Sequence, residues 1–541
     1  MERVKDECYA TKAQLHRKNN LTNLKFEYDR QMDVTERKKV EAVLEKLTPP
    51  TYLECMELNG YVGRMLPLSW LANNSSLRVL RLEHCMSLET LPTLPVTLTD
   101  LDLSYCSELV AIPPTAPSLK SLSISFCPHI SLLPFFPSME TTEVASLDSW
   151  ERWASGRTTA GETVASMPCL QKLKILNCQR LKHLPPPVFP CLEYLMIKGC
   201  VQLHVLWEDE QDSNSSQKEA IDLPRLKFLK LRELQELSAL AKGTTSLPML
   251  EELRIELCPR LTWLPEGLME DLPKLTTLLL LDLEELACLA QGTIKLPKLE
   301  RLWVGGCPKL TSQQVDMLLQ NHTQLTHLWL KKLERLRKLS ALVRGDASFL
   351  KLEEMRIELC PMLSSIPDGL LKSLPKLRKL ELLQLYQMTS LSEQGTVSLP
   401  KLESLWVIGC PNLSYRQLGR LTHDLPQLTS LFLGWLSWLR SLPQQITNIP
   451  KLETLEISHC PNLVSVPDGL TRRLGSGLEI SNCQVQCPAQ APATDDQTMR
   501  KQNMASVLGG QTAKTSLSEF EEILTAECCT NMILRSLLST A

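Results

Sequence analysis

Residues 352–367 read LEEMRIELCPMLSSIP. With Leu352 as position 1, apolar residues fall at position 4 (Met355), position 6 (Ile357), position 9 (Cys360) and position 12 (Leu363), and Ile366 and Pro367 close the phrase. The step of two from Met355 to Ile357 is that of a short strand with one buried face. The step of three to Cys360 breaks the alternation and predicts a tight turn. A single phrase of this kind cannot bury its apolar face, so copies must stack on both sides of it.

The copies begin at Leu226, Leu250, Leu275, Leu299, Leu325, Leu352, Leu377, Leu402, Leu428 and Leu452, spaced by 24 to 27 residues. That period predicts an α/β leucine-rich-repeat solenoid, a horseshoe with a parallel sheet on its concave face. Position 9 alternates between Cys (Cys258, Cys307, Cys360, Cys410, Cys460) and Leu (Leu234, Leu283, Leu333, Leu385, Leu436), so the duplicated unit is a pair of repeats. Upstream the phrase recurs at Leu77, Leu98, Leu119, Met139, Leu170 and Leu192, mostly at shorter spacing. Two long spacings predict loops leaving the solenoid. One, near 148–166, holds Trp150, Trp153 and a Gly/Thr-rich run, and the other, near 207–222, is acidic.

The predicted organisation is an N-terminal edge over 1–20, a solenoid over 21–485 and a polar tail over 486–515. An amphipathic helix over 516–541 follows, serving as a cap on the last repeat or as a docking segment. At the other end, Leu21, Leu24 and Phe26 predict a strand. Val40, Val43, Leu44 and Leu47 lie on one face of a charged helix ending near Lys46.

The 58 basic and 61 acidic residues leave a net charge of −3, which predicts neither a polyanion partner nor nucleic acid. Met1–Asn20 is largely polar, so no secretory leader is expected, and no apolar run is long enough to span a bilayer. Of the 19 cysteines, eleven sit at position 9 of a repeat, where a buried thiol can bond to turn backbone. Their spacing is the solenoid's own, so the expectation is free thiols in a reducing, cytoplasmic setting. Neither a metal-ligand spacing nor a hydrolase or metalloprotease motif occurs. No catalysis, cofactor or metal is expected.

LTNLKFEYD (21–29), VEAVLEKLTPP (40–50) and the run from Leu53 through Gly60 and Tyr61 to Trp70 resemble the start of a known repeat region. It is that of plant intracellular disease resistance proteins of the coiled-coil, nucleotide-binding, leucine-rich-repeat type. LETLEISHCPNLVSVP (452–467) is similar to the later repeats of the same family. The resemblance covers about residues 7–485. It implies recognition of a pathogen effector or a guarded host protein, with a nucleotide-binding domain held inactive in cis or in trans. That domain has no counterpart here. The nearest string to a phosphate loop, GGQTAKTS at 509–516, lacks the glycine before Lys514, so nucleotide handling does not carry over. The alternatives are a stand-alone scaffold or decoy regulating other receptors and, more distantly, a protein inhibitor outside defence.

Function has to come from the outward strand positions 2, 3, 5 and 7 and from position 8. Position 5 runs Arg254, Leu279, Trp303, Trp329, Arg356, Glu381, Trp406, Phe432 and Glu456, with Trp435 at position 8. Arg254, Trp303, Trp329, Arg356, Trp406, Phe432 and Trp435 are the candidate protein-binding residues, because Trp and Arg dominate interface hot spots. The competing expectation is that these side chains cover one another or pack under a loop.

Overall fold

The structure, a computed structural model, describes residues 7–28, 37–72, 74–153, 167–184, 189–207, 221–241, 245–265, 267–290, 292–320, 323–339, 349–367, 370–371, 374–391 and 397–484. These belong to one unit, Met1–Val485. A second unit, Gln486–Ala541, holds the polar tail and the helix expected at the C-terminus, both outside the described residues.

Among the described residues, nineteen strands form one parallel sheet in sequence order. They are β1 (Asn23–Glu27), β2 (Cys55–Asn59), β3 (Val79–Glu83), β4 (Asp100–Ser104), β5 (Ser121–Ser125), β6 (Thr141–Ala145) and β7 (Lys172–Leu176). Then come β8 (Tyr194–Lys198), β9 (Phe228–Arg232), β10 (Glu252–Glu256), β11 (Thr277–Leu281), β12 (Arg301–Gly305) and β13 (His327–Lys331). The last are β14 (Glu354–Glu358), β15 (Lys379–Leu383), β16 (Ser404–Ile408), β17 (Ser430–Gly434), β18 (Thr454–Ser458) and β19 (Leu478–Ser481). All but the last span positions 3 to 7 of their phrase, and each pairs with the next without a register shift, as in Trp329↔Arg356 and Arg356↔Glu381. Equivalent positions therefore form columns across the strands, stepping about 4.8 Å per repeat.

The period-two reading holds from β2 to β18, where positions 4 and 6 are buried on every strand. Met355 and Ile357 point inward at 1% and 0% exposure, and Leu352 and Leu363 are buried with them. Each repeat buries four or five such side chains, each worth about 1.5–3 kcal/mol, and one continuous core runs from Ala10 to Leu474.

Position 8 is where the chain leaves the sheet, and it has positive φ in the eighteen repeats from β2 to β19, from Gly60 (76°) through Leu359 (53°) to Asn482 (53°). Fourteen of these residues are not glycine. A side chain in this region costs on the order of 1 kcal/mol, so something must hold it there. The Leu359 N–H donates to the Leu383 carbonyl oxygen of the next strand at 3.0 Å, which extends the ladder by one bond. The reversal also drives position 9 into the core. Cys307 Sγ donates toward the Gly305 oxygen at 3.3 Å and lies 3.8 Å from the Leu280 oxygen of the preceding repeat. Ten position-9 cysteines are fully buried, and burial pushes the Cys360 thiol up to about 12. These are structural thiols, unreactive in the folded chain.

The return segments vary with repeat length. Repeats at 20 or 21 residues, as between Leu77 and Met139, come back without a helix. The 26-residue repeats after Leu299 and Leu402 have room for α-helices at Ser312–Leu319 and Tyr415–Leu421. The first of these is capped by Thr311 Oγ1, which accepts from Gln314 N. At the N-terminal end, helices Glu7–Ala13 and Arg37–Lys46 pack on each other, the second burying Val40, Val43 and Leu44 as its spacing requires.

The expected loops need correction at their ends. Trp150 and Trp153, read above as part of an insertion, are 0% and 5% exposed and meet edge to face at 4.8 Å. Trp153 also sits in a short strand beside Leu133. Ile221 and Asp222, the end of the acidic insertion, pair in parallel with Thr245 and Ser246. Residues 154–166 and 208–220 lie outside the described residues.

Candidate functional site

The column at position 5 gathers most of the residues singled out from sequence. Trp303, Trp329, Arg356, Glu381, Trp406 and Phe432 are consecutive partners on β12 to β17. Trp303 and Trp329 meet edge to face with centroids 6.0 Å apart. The Arg356 guanidinium lies 5.2 Å from the Trp329 ring, and Lys331 Nζ lies 5.7 Å from it. On the other side of Glu381, Trp406 packs on Phe432 at 4.5 Å, with Lys379 Nζ 5.6 Å from the indole. These rings are half-buried rather than laid open. The Trp406 indole N–H donates to Ser404 Oγ at 3.0 Å, whereas the buried Trp329 N–H has no hydrogen-bond partner among the described residues.

Glycines beside this column are packed close by their neighbours. Gly305 and Gly434 occupy position 7 on the strands of Trp303 and Phe432. A Cβ at Gly434 would come within 3.0 Å of Ser458 Oγ and 3.3 Å of an Ile408 methyl.

A charged network divides the two ring pairs. Arg356 donates to Glu358 at 2.7 Å and reaches Glu381 at 3.2 Å. Lys331 lies 3.5 Å from Glu358, and Lys379 lies 2.8 Å from Glu381. Glu358 and Glu381 are only 3% and 2% exposed, although both stand on the outward face. Carboxylates so far from water persist only when each is paired and hydrogen-bonded. Arg356 serves both, so it is a structural keystone of the face as well as a candidate contact.

Two candidates fall away from this group. Arg254 is separated from Trp303 by Leu279, which is fully buried, and it pairs with Glu252 on its own strand. Trp435 is not on the position-5 column. It occupies position 8 with φ 54°, is 47% exposed and stacks flat on His459 at 4.1 Å. Sequence reading missed the companion stack at the other end of the sheet. His84, Tyr105 and Phe126, all at position 8, pile up at 4.6 and 4.5 Å. Their common repeat position was visible, but the left-handed backbone that aligns the rings was not.

Glu256, at position 7 of β10, is 8% exposed, and burial pushes its carboxyl above the usual range, with Arg232 and Arg254 offsetting part of the effect. A folded pKa above the unfolded one means the native state binds more protons between the two values, so stability falls as pH rises through that window. Relative to Glu256→Gln, the wild type should therefore lose stability between pH 4 and pH 7. Urea midpoints of both proteins at the two pH values check this. A relative gain for the wild type would show that pairing with Arg232 outweighs desolvation.

Among the described residues no group of three or more His, Cys, Asp or Glu is arranged to hold a metal ion, and no helix is long and apolar enough to cross a membrane.

Comparison with known proteins agrees with the repeat pattern. Residues 1–127 match the family model of R13L1/DRL21 leucine-rich repeats, and residues 158–284 match that of plant disease resistance protein RPS2-like leucine-rich repeats. The putative disease resistance RPP13-like protein 1 of Arabidopsis thaliana is 29% identical over 212 residues, 37% of this chain and 19% of that protein. The probable disease resistance protein RF9 of the same plant is 30% identical over 146 residues, 24% of this chain and 13% of that protein. The chain thus spans about a fifth or less of the length of these relatives. Similar solved structures include the TLR13–ssRNA13 complex, with 15% identity, TM-score 0.41, and 87% of this chain and 76% of that one covered. Another is the functional domain of InlJ from Listeria monocytogenes, with 16% identity, TM-score 0.29, and 85% and 73% covered. By strand register and repeat phrase the chain is a leucine-rich-repeat solenoid, and two stretches of it, residues 1–127 and 158–284, match leucine-rich repeats found in plant disease resistance proteins.

Proposed function

We propose that this chain is the ligand-recognition part of a cytoplasmic plant immune receptor, binding a pathogen effector or a guarded host protein through the face of β12 to β17. The observation that carries this reading is the column of Trp303, Trp329, Arg356, Trp406 and Phe432, half-buried side chains of the hot-spot types on adjacent strands. A rigid parallel sheet holds them in fixed register, so a partner meets a preorganised surface and little ordering cost is added on binding. The module acts by binding and not by catalysis. A nucleotide-binding domain, in cis or in trans, would be the element whose state such binding changes.

The test is a pairwise interaction screen of the chain against secreted effectors and host defence proteins. It is repeated with the double variant Trp329→Ser and Trp406→Ser, and melting temperatures are recorded alongside. Loss of a specific partner by about 1,000-fold at unchanged melting temperature is expected, since two hot-spot side chains contribute roughly 2 kcal/mol or more each. A partner that binds the variant as well as the wild type would move the recognition surface elsewhere.

A further inference from the structure

The whole-chain charge of −3 conceals a segregation of charge along the sheet face. On β2 to β6 the outward positions 3, 5 and 7 carry five acids (Glu57, Glu83, Asp100, Asp102, Glu143) against one cation, Arg81, a net of −4. On the next three strands, β7, β8 and β9, the same positions carry five cations (Lys172, Lys174, Lys198, Lys230, Arg232) and no acid, a net of +5. Strand β10 then brings Glu252 and Glu256 with Arg254 between them, a net of −1. A basic band three strands wide is therefore fenced by acids on both sides. Its centre is apolar. Tyr194 and Phe228 lie 6.0 Å apart beside Met196, and Lys172 and Lys230 each stand 5.7 Å from the Tyr194 ring.

We propose that this band is a second docking site, and that its occupant is a short acidic segment of a protein partner with an apolar side chain set against Tyr194 and Phe228. The site lies on other strands than the aromatic column and stands independently of the function proposed above. Charge complementarity is the first support. Lys174 is matched with Glu143 at 3.0 Å and Lys230 with Glu252 at 3.5 Å, while Arg232 lies 3.1 Å from Glu233 and 3.8 Å from Glu256. Lys172, on the same outer strand as Lys174, has no carboxylate partner among the described residues, and Lys198, on the middle strand, has Glu233 at 3.8 Å. Neighbouring charges in the band lie within about a Debye length of one another, so their repulsion is felt unless an anion is added.

Width decides the class of anion. The outer strands of the band are about 10 Å apart. A nucleic-acid backbone carries a charge at every residue and, crossing the strands, would run onto Glu143 and Asp102 or onto Glu252 and Glu256. A few clustered carboxylates fit between the fences, and the apolar floor favours a protein segment over a phosphate chain.

The probe is a fluorescein-labelled acidic peptide of glutamates flanking two leucines, followed by fluorescence anisotropy. A lysine-for-glutamate version of the peptide and an oligouridylate of equal length serve as comparators. The acidic peptide should bind, weaken with added salt and lose about tenfold or more in affinity in the double variant Lys172→Glu and Lys198→Glu. If that variant fails to fold by circular dichroism, Lys172→Gln with Lys198→Gln takes its place and should lose affinity in the same direction. The Trp329→Ser and Trp406→Ser variant should bind the acidic peptide normally, so the two sites fail separately. Tighter binding of the oligonucleotide, equal binding of the lysine peptide, no binding of the acidic peptide, or affinity unmoved by the lysine substitutions would each overturn the proposal.

Discussion

Replacing Ile357 by Asp is expected to remove about 4 kcal/mol or more of stability, the range for an unpaired charge left in a dry core. Ile357 is 0% exposed, at position 6 of β14, between Leu330 and Leu382 of the flanking strands. The consequence in a solenoid differs from that in a globular domain. Each repeat is stabilised only by its neighbours, so a broken repeat uncouples the two arms. Urea unfolding of the variant should separate into two transitions where the wild type shows one. Cys360→Ala, three residues along in the same repeat, should cost only about 1 kcal/mol, the scale of one modest hydrogen bond and a little packing. Its thiol donates to backbone, at 3.4 Å from the Glu358 oxygen at the end of the strand. Equal losses in the two variants would mean that the turn, and not the strand, limits the stability of the repeat.

The second large effect is expected at Arg356. Truncation to Ala leaves Glu358 and Glu381 on a nearly dry face with Lys331 and Lys379 as their remaining cations. Removing one member of such a network typically costs about 3–5 kcal/mol, most of it the penalty of an uncompensated buried charge. A double-mutant cycle separates this from lost packing on Trp329. If the uncompensated charge dominates, adding Glu381→Gln to Arg356→Ala should recover about 1 kcal/mol or more, a coupling of the size found within a shared network. Additive losses would instead make the contact of Arg356 with Trp329, at 5.2 Å, the main term.

This network explains how the candidate face was both legible and misjudged in sequence. The period of two places Trp303, Trp329, Arg356, Trp406 and Phe432 on one face, and constant spacing places them in one column. Both follow from backbone geometry and both hold. How open the face is does not follow, because it depends on the lengths of side chains that lie across neighbouring strands. Leu279 points outward and is nevertheless fully buried, between Arg254 and Trp303 in its column. Glu381 is covered in the same way between Arg356 and Trp406. Trp150 and Trp153 failed for the opposite reason. Their flanking Gly/Thr-rich run suggested a loop, but two indoles bury more apolar area than a solvated loop can leave exposed.

The architecture follows from the repeat phrase alone. The apolar rhythm of positions 1, 4, 6, 9 and 12 has one stacked solution, and ten copies in register leave little freedom for another. The family resemblance resides in the same phrases. Tertiary structure alone decided what the face carries. The left-handed residue at position 8 aligns rings into stacks at 4.1 to 4.6 Å. Parallel register sorts a nearly neutral chain into an acidic band, a basic band and an aromatic column. The physical reason is one of distance. Burial pattern is set between residues two or three apart in sequence, whereas pairing, covering and local charge are set between residues some 25 apart that the sheet brings to within about 5 Å.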